Sequence, residues 1–187
     1  MNKYLDEITV TLQKVEITDE HSNLQIKYDE SCDFVVSTFK NHRQRNSVVF
    51  FIGNGGSAAI ASHMTADFMK NGGMKTYSLY DSSVMTCMGN DYGYEEVFSR
   101  PLDMLVNEGD LLVAISSSGE SKNIINAIEV TKKNKAKVIT FTGFEPDNTI
   151  RGMGDLNVYV PCKKYGIVES IHNLILQQVV DELVENK

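Results

Sequence analysis

The sequence predicts an α/β fold built around a parallel sheet. Two short apolar runs, residues 48–52 and 111–115, are each followed by a loop of small residues and then by a helical pattern. Such runs are typical of parallel strands that are buried on both faces. Further strands and helices alternate along the chain, which favours parallel strands joined by right-handed crossovers. The 187 residues, of which 42% are hydrophobic, are expected to form one domain, residues 1–187.

The remaining elements follow from hydrophobic periodicity. Apolar residues at helical spacing predict two helices within residues 1–45, and we expect this segment to take part in oligomerisation because Leu5, Ile8, Leu12 and Val15 need a partner surface. In chain order, the later predictions are a polar turn at 41–46, a strand at 48–52, an alanine-rich helix at 57–69, a strand at 75–80, a helix at about 82–89, a turn at 89–93, a helix at about 94–106, a strand at 111–115, a helix at 121–134, strands at 137–142 and 156–160, and a closing helix at about 168–185.

Charge and cysteine usage limit the classes of protein. The formal net charge of -7 argues against a nucleic-acid surface, which normally carries a basic patch. Cys32, Cys87 and Cys162 are odd in number and widely separated, which indicates a reducing compartment. The first residues are already charged and periodic, so we expect neither a signal peptide nor a membrane span, and a cytoplasmic location. His21 and His42 lie in polar stretches and are expected to be solvated.

The two loops carry the main functional signal. Gly53-Asn54-Gly55-Gly56-Ser57 follows the first apolar run, and residues 116–121, with four serines, follow the second. Loops at the carboxyl ends of parallel strands bind ligands in open α/β sheets, and N–H groups at a helix start beside small hydroxyls suit a phosphate. The first loop lacks the third glycine of the dinucleotide fingerprint, because position 58 is Ala58. Serine and glycine could also serve only as helix caps and turns, but two such loops in one sheet favour phosphate binding.

In these motifs the chain resembles the SIS (sugar isomerase) domain family, and within it the phosphoheptose isomerases. The resemblance runs from the N-terminal helices through both loops and Gly89-Asn90-Asp91 to the last helix. It implies a flavodoxin-like three-layer α/β/α sandwich with an N-terminal helical extension, and a homotetramer with active sites between subunits. It also implies conversion of sedoheptulose 7-phosphate to D-glycero-D-manno-heptose 7-phosphate, a step in heptose biosynthesis for lipopolysaccharide or capsule. No nucleotide, nucleic-acid or membrane partner is implied.

The resemblance also assigns residues to the substrate. Four serines would contact the phosphate, Ser117 belongs to the same loop, and the remaining positions would line the sugar. These residues are Ser57, Ser116, Ser118 and Ser121 for the phosphate, and Asn54, Gly55, Gly56, Asn90 and Asp91 for the sugar.

Two departures from the family pattern concern catalysis. His63 and Asp67 share one helix face, and Asp67 stands where similar isomerases carry the Glu that moves a proton between C1 and C2. Glu169 and Gln177 stand where the family has Gln and His, whereas His172 lies on a different face of the helix. Two interpretations are open. Asp67 and Glu169 form a relocated acid/base pair that shares a proton, or the chain has lost catalysis and binds sugar phosphates as a regulator. A replication-initiation factor that binds DnaA is an example of the second class.

The same positions raise the question of a metal. Similar isomerases can carry zinc at the positions that are here His63, Asp67, Glu169 and Gln177. One imidazole and two carboxylates are a plausible zinc set, although Gln is a weak ligand and no thiolate contributes. The alternative is a charged pocket whose carboxylates are hydrated.

Overall fold

The computed structural model describes residues 2–19 and 26–185, with the side chains of residues 26–32 outside the description. The helices are α1 (Lys3–Leu12), α2 (Tyr28–Gln44), α3 (Gly56–Lys70), α4 (Ser82–Tyr92), α5 (Ser99–Leu105), α6 (Lys122–Lys133) and α7 (Tyr165–Glu185), with 3-10 turns at Tyr94–Glu96 and Thr149–Gly152. The strands are β1 (Glu16–Asp19), β2 (Ile26–Lys27), β3 (Val48–Gly53), β4 (Lys75–Ser78), β5 (Leu111–Ser116), β6 (Lys137–Thr142) and β7 (Leu156–Tyr159).

The strands of the described residues form one sheet of order β2-β1-β7-β6-β5-β3-β4. The five strands from β7 to β4 are parallel, and β1 and β2 continue the sheet as an antiparallel edge. Numbered along the chain, the parallel strands have the order 2-1-3-4-5, which is the flavodoxin-like arrangement. The predicted fold class is therefore confirmed, and the strand order reverses between β3 and β5.

The sheet is covered on both faces. Alternate residues of β3 point to opposite sides, so that Val49 and Phe51 lie in one core and Phe50 and Ile52 in another. The first core includes side chains of α2, α3 and α7, and the second includes side chains of α5 and α6. Burial on both faces explains why β3 and β5 are continuous apolar runs rather than alternating ones.

Four local predictions were wrong. The predicted polar turn at 41–46 is largely the end of α2, which runs to Gln44. The strands β1 and β2 were not predicted, because four and two residues are too short for a periodic pattern and the pairing of β1 with β7 is a tertiary contact. The predicted turn at 89–93 is the last part of α4, which ends before Gly93 with φ of 91°. The predicted helix at 94–106 is broken before α5, since Pro101 is tolerated in a first helical turn and not in a helix interior.

One histidine also differs from expectation, and the N-terminal helix packs on the core with only part of its apolar face. Ile8, Leu12 and Val15 pack on the chain's own core, whereas Leu5 is 57% exposed, and the part of this segment in oligomerisation stays a prediction. His42 is buried instead of solvated, because α2 extends to Gln44 and presents it to the end of the sheet. Burial and the nearby Arg45 lower the pKa of His42. His21 lies outside the described residues. Within those residues, no helix combines the length and apolar character that a membrane crossing requires.

His172 occupies the core beneath α7, on a different helix face from Gln177 as predicted. It is fully buried, its ring packs edge-on against Phe141, and Nε2 lies 3.0 Å from the carbonyl oxygen of Thr142. Burial is the main cause that lowers its pKa from 6.5 to about 4. The folded chain therefore holds this imidazole neutral, with Nε2–H donating to Thr142.

This burial predicts acid sensitivity. The unfolded imidazole takes up a proton below pH 6.5 and the folded one does not, so the stability that the neutral ring contributes is present above pH 6.5 and is lost as the pH falls toward 4. The loss should reach about 3 kcal/mol. The variant His172→Gln keeps an N–H donor without a titrating group and should lose less. Urea unfolding at pH 7 and pH 4.5 measures the difference, and equal acid losses in both proteins would contradict the prediction.

Candidate active site

The two predicted loops meet at the point where the strand order reverses. Gly53 at the end of β3 lies beside Ile115 of β5 in the sheet register. Open α/β sheets bind ligands in the crevice at such a position. A cavity of about 260 Å³ lies there, and its walls come from both loops and from the start of α7. The lining residues are Asn54, Gly55, Gly56, Ser57, Ile115, Ser116, Ser117, Ser118, Ser121, Tyr165 and Glu169.

The first loop passes directly into α3. Gly55 is the residue before the helix and has φ of 56° and ψ of −122°. Residues with a Cβ rarely adopt this backbone conformation. Among the described residues, no side chain caps this helix start. The first N–H groups of α3 are therefore left without a capping side chain beside the cavity, and the partial positive charge of the helix end favours an anion there.

The second loop supplies hydroxyl groups at the same cavity. Ser116 Oγ accepts a hydrogen bond from the N–H of Gly119 at 3.2 Å and lies 3.4 Å from Ser121 Oγ. Ser117 is buried, and its hydroxyl has no hydrogen-bond partner among the described residues. A buried hydroxyl without a partner is costly, so Ser117 Oγ is a polar group that a bound ligand or water would satisfy.

Glu169 brings a carboxylate to this cavity from α7. A Cβ on Gly56 would collide with both carboxylate oxygens of Glu169, so the carboxylate keeps its present position only because residue 56 has no side chain. The negative group thus sits at the amino end of α3, where the helix dipole favours it. The sequence predicted both residues for the site but not their contact.

His63, Asp67 and Gln177 form a second polar cluster further along α3 and α7. The Gln177 amide nitrogen lies 2.8 Å from Asp67 Oδ2 and 3.0 Å from His63 Nε2. His63 Nε2 is 3.2 Å from the same Asp67 oxygen, and the His63 side chain is 56% exposed. Because a carboxylate only accepts hydrogen bonds, the Gln177 amide must turn its NH₂ group toward Asp67. His63 Nε2 either accepts from the Gln177 amide or donates to Asp67, so Gln177 completes a polar cluster at the place where the resemblance expects an imidazole.

The proposed proton-sharing pair is not formed within one chain. Glu169 lies against Gly56, and eleven residues of α3, about 16 Å of helix, separate Gly56 from Asp67. Glu169 and Gln177 are likewise eight residues apart on α7. Asp67 and Glu169 therefore do not contact each other within one subunit, and the predicted acid/base pair is not formed there.

Of the four residues assigned to zinc, Glu169 lies apart from the other three, which form the polar cluster. The described residues contain no group of three His, Cys, Asp or Glu side chains that could hold a metal ion. His63 and Asp67 supply one imidazole and one carboxylate, while Gln177 adds only a weak amide ligand. These side chains do not fit a four-ligand zinc site within one chain. Zinc at these positions stays a prediction from the resemblance.

Asn90 and Asp91 lie outside the cavity. They are exposed residues in the last turn of α4, where the Asn90 amide donates to Asp91 Oδ1 at 2.9 Å. The turn that was expected to carry them toward the substrate is helical instead. Within one chain, the structure therefore does not place them with the two loops.

Two tyrosines at the site were not identified from the sequence. The Tyr80 hydroxyl accepts from the N–H of Gly53 at 2.7 Å and donates to its carbonyl oxygen at 2.8 Å, and burial raises the pKa of this phenol. Tyr80 thereby holds the last residue of β3 just before the glycine loop. Tyr165 lines the cavity and packs edge-on against Phe144. A tyrosine near a strand or helix end has no sequence signature that separates these roles from ordinary packing.

Comparison with known proteins shows to which family the chain belongs. A model of the SIS domain family matches residues 3–143. A phosphoheptose isomerase from Campylobacter concisus is 37% identical over 172 residues, covering 87% of this chain and 88% of that protein. The chain therefore belongs to the SIS domain family.

Solved structures of phosphoheptose isomerases are also similar to this chain. The structure of a phosphoheptose isomerase from Francisella tularensis matches with a TM-score of 0.83 and 25% identity, covering all of this chain and 96% of the other. The phosphoheptose isomerase from Neisseria gonorrhoeae matches with a TM-score of 0.80 and 26% identity, over 96% and 94% of the two chains. This chain is thus similar along nearly its whole length to phosphoheptose isomerases.

The contact between Gly56 and Glu169 predicts the effect of one methyl group. In Gly56→Ala the new Cβ collides with the carboxylate, which is the far end of a flexible side chain and moves away. Alanine also favours a helix over glycine by up to about 1 kcal/mol. We expect an unchanged or raised melting temperature together with weaker sugar-phosphate binding, because Glu169 is pushed into the cavity. Calorimetry of unfolding and of binding measures both.

Gly152→Ala is the matched control, since a Cβ at that position meets nothing within 4 Å. A Gly56→Ala protein that binds as the wild type does would show that the Glu169 position is unimportant for the ligand.

Proposed function

We propose that this chain is an aldose–ketose isomerase that converts sedoheptulose 7-phosphate into D-glycero-D-manno-heptose 7-phosphate. The observation that carries the proposal is the convergence of the two loops on one cavity at the reversal of strand order. The 30–37% identity to phosphoheptose isomerases supports the particular substrate. The hydroxyl-lined cavity and the cluster of His63, Asp67 and Gln177 lie at different positions along α3. This separation supports substrate binding at the cavity and proton transfer at the cluster.

The phosphate group belongs in the serine-lined cavity. With a net charge of -7, the chain offers no global attraction to an anion, so local donors must hold it. Such donors are present at the amino ends of α3 and α6. Further donors are the hydroxyls of the buried Ser57 and Ser116 and the hydroxyl of Ser117, which has no partner among the described residues. This set matches a phosphate dianion, which accepts many hydrogen bonds at once.

The reacting carbons of the sugar then lie toward the polar cluster. Gly56 and His63 are seven residues apart on α3, a rise of about 10 Å, which is comparable to the extended carbon chain of a heptose phosphate. A substrate anchored by its phosphate at the loops would therefore present C1 and C2 near His63 and Asp67. Glu169 lies against Gly56 at the loop end and is placed to accept hydrogen bonds from sugar hydroxyls next to the phosphate.

Isomerisation requires the transfer of one proton between two carbons. In this proposal the Asp67 carboxylate takes a proton from C1 while the C2 carbonyl oxygen is protonated, which gives an enediol. The same proton is then delivered to C2, and the O1 hydroxyl loses its proton to form the aldehyde. His63, which is within hydrogen-bond distance of Asp67, carries the proton between the two oxygens. The Gln177 amide donates to Asp67 and holds the carboxylate in place.

The proposal includes an oligomer and a cellular role. We infer a homotetramer, supported by the exposed apolar side chains Tyr4, Leu5 and Val10 on α1 and by the exposure of His63 in a single chain. Asn90 and Asp91 would reach a substrate only across a subunit interface. The product would serve a heptose-containing lipopolysaccharide or capsule, made in the cytoplasm. Light scattering of the purified protein measures the mass in solution.

Removal of two cavity hydroxyls should weaken substrate binding. The double variant Ser118→Ala and Ser121→Ala loses two donors to a charged group, and each such hydrogen bond contributes about 1.5–3 kcal/mol. Neither side chain is a core residue, so the fold should persist. Titration with sedoheptulose 7-phosphate checks the loss. The phosphate assignment fails if the double variant binds as tightly as the wild type.

The catalytic assignment is tested by amide substitutions in an isomerase assay that starts from sedoheptulose 7-phosphate. Asp67→Asn removes the proposed proton acceptor and should lower turnover by about 10²–10⁴-fold, as expected for one general base. Substrate binding should survive, because the loops are untouched. Exchange of the C1 proton with deuterated solvent, followed by NMR, reports the same step without coupling to product release.

Glu169→Gln and Gln177→His complete the series. Glu169→Gln keeps the shape of the side chain and should raise KM more than it lowers kcat, since Glu169 lies at the binding cavity. A wild-type protein that is inactive while Gln177→His is active would refute the proposed function. It would instead indicate a sugar-phosphate-binding regulator.

A further inference from the structure

An amide pair joins the two loops across the reversal point. The Asn123 amide nitrogen donates to Asn54 Oδ1 at 2.9 Å, and the Asn54 amide nitrogen donates to Asn123 Oδ1 at 2.9 Å. The Tyr94 hydroxyl donates to the same Asn54 oxygen at 3.0 Å. Asn123 lies in the first turn of α6 and is 3% exposed, although it is a polar side chain.

These hydrogen bonds occupy most of the capacity of the Asn54 side chain. Its oxygen has two lone pairs, which Asn123 and Tyr94 use, and one of its two N–H groups is directed to Asn123. A sugar hydroxyl could therefore receive at most one hydrogen bond from this amide and could donate none to it. The side chain of Asn54 faces the second loop more than it faces a substrate.

The pair connects the two parts of the phosphate cavity. Asn54 precedes Gly55 and α3, while Asn123 follows Ser121 at the start of α6. The two helix starts must keep one spacing if N–H and hydroxyl groups from both are to bind the same phosphate. Residues in such a site need support that holds them within a fraction of an ångström. A reciprocal pair of 2.9 Å hydrogen bonds, one partner of which is buried, provides that support.

We propose that Asn123 is a positioning residue that fixes the spacing of the two phosphate-binding loops through Asn54. This inference rests on the proposed function, since it assumes that both loops hold one phosphate. Tyr94 adds a third contact, which ties the segment after α4 to the same amide. Loss of the pair lets the loops separate, so that part of the binding free energy is spent on ordering them. The Asp67 cluster lies further along α3 and keeps its own hydrogen bonds.

The test compares Asn123→Ala, Asn54→Ala and the double variant. We expect each single change to raise KM for sedoheptulose 7-phosphate and the inhibition constant of inorganic phosphate by about tenfold, the effect of one to two neutral hydrogen bonds. The value of kcat should change much less. Because both single variants remove the same pair, the double variant should resemble either one rather than combine their effects.

Asn123→Asp separates the two hydrogen bonds. The carboxylate still accepts from Asn54 but cannot donate to it, and its negative charge repels a phosphate, so Asn123→Asp should weaken phosphate binding at least as much as Asn123→Ala. Asn134→Ala is the matched control, because it removes an asparagine amide at the other end of α6 that bonds to Asp103 and the carbonyl of Val130. It should leave both constants unchanged. Asn123→Ser, which is uncharged and too short to form the pair, serves as the test if Asn123→Ala does not fold.

Two results would overturn the positioning role. One is an Asn123→Ala protein that folds and has wild-type constants for inorganic phosphate and substrate. The other is a double variant whose loss is the product of the two single losses, which would mean that Asn54 acts on the ligand directly. Titration calorimetry with inorganic phosphate alone gives the same comparison without turnover. A wild type that binds phosphate but does not isomerise would refute the proposed function and still test the amide pair.

Discussion

The site depends on the adjacency of β3 and β5. These two strands are parallel neighbours, although β4 lies between them in sequence. After β3 the chain continues to β4 at one edge of the sheet, and after β5 it continues to β6 on the other side. Helices α3 and α6 consequently begin side by side, on opposite faces of the sheet. Two helix starts and two small-residue loops then border one crevice. A strand inserted between β3 and β5 would abolish the cavity while leaving both motifs intact.

Support for this crevice comes from polar side chains as well as from the apolar cores. Tyr80 fixes both backbone polar groups of Gly53, and the Asn54–Asn123 pair fixes the next residue. These contacts act on a segment that is rich in glycine and therefore has a large conformational entropy when free. They restrain the loop without placing bulky side chains in the cavity. The glycine loop can thus be both open to a ligand and ordered before it binds.

The departures from the family pattern have a structural consequence. Gln177 donates to Asp67 and faces His63, so the shorter carboxylate at position 67 is held by a neutral amide. Glu169 instead lies against Gly56 at the binding cavity, where the family has an amide. The exchange of side chains adds a negative charge beside the loops, while the polar cluster keeps a single carboxylate, Asp67. Both changes are compatible with a site in which binding and proton transfer occupy different parts of α3 and α7.

The sequence alone determined the parallel strands, the two loops and the pairing of His63 with Asp67, because each depends on spacing within a short segment. It also placed His172 off the face that carries Gln177. Only the tertiary structure decided the edge strands β1 and β2, the separation of Asp67 from Glu169, and the bond between Asn54 and Asn123. These features join residues far apart in the chain, such as the 69 positions between the two asparagines. Their geometry arises from strand order and helix packing, which periodicity does not encode.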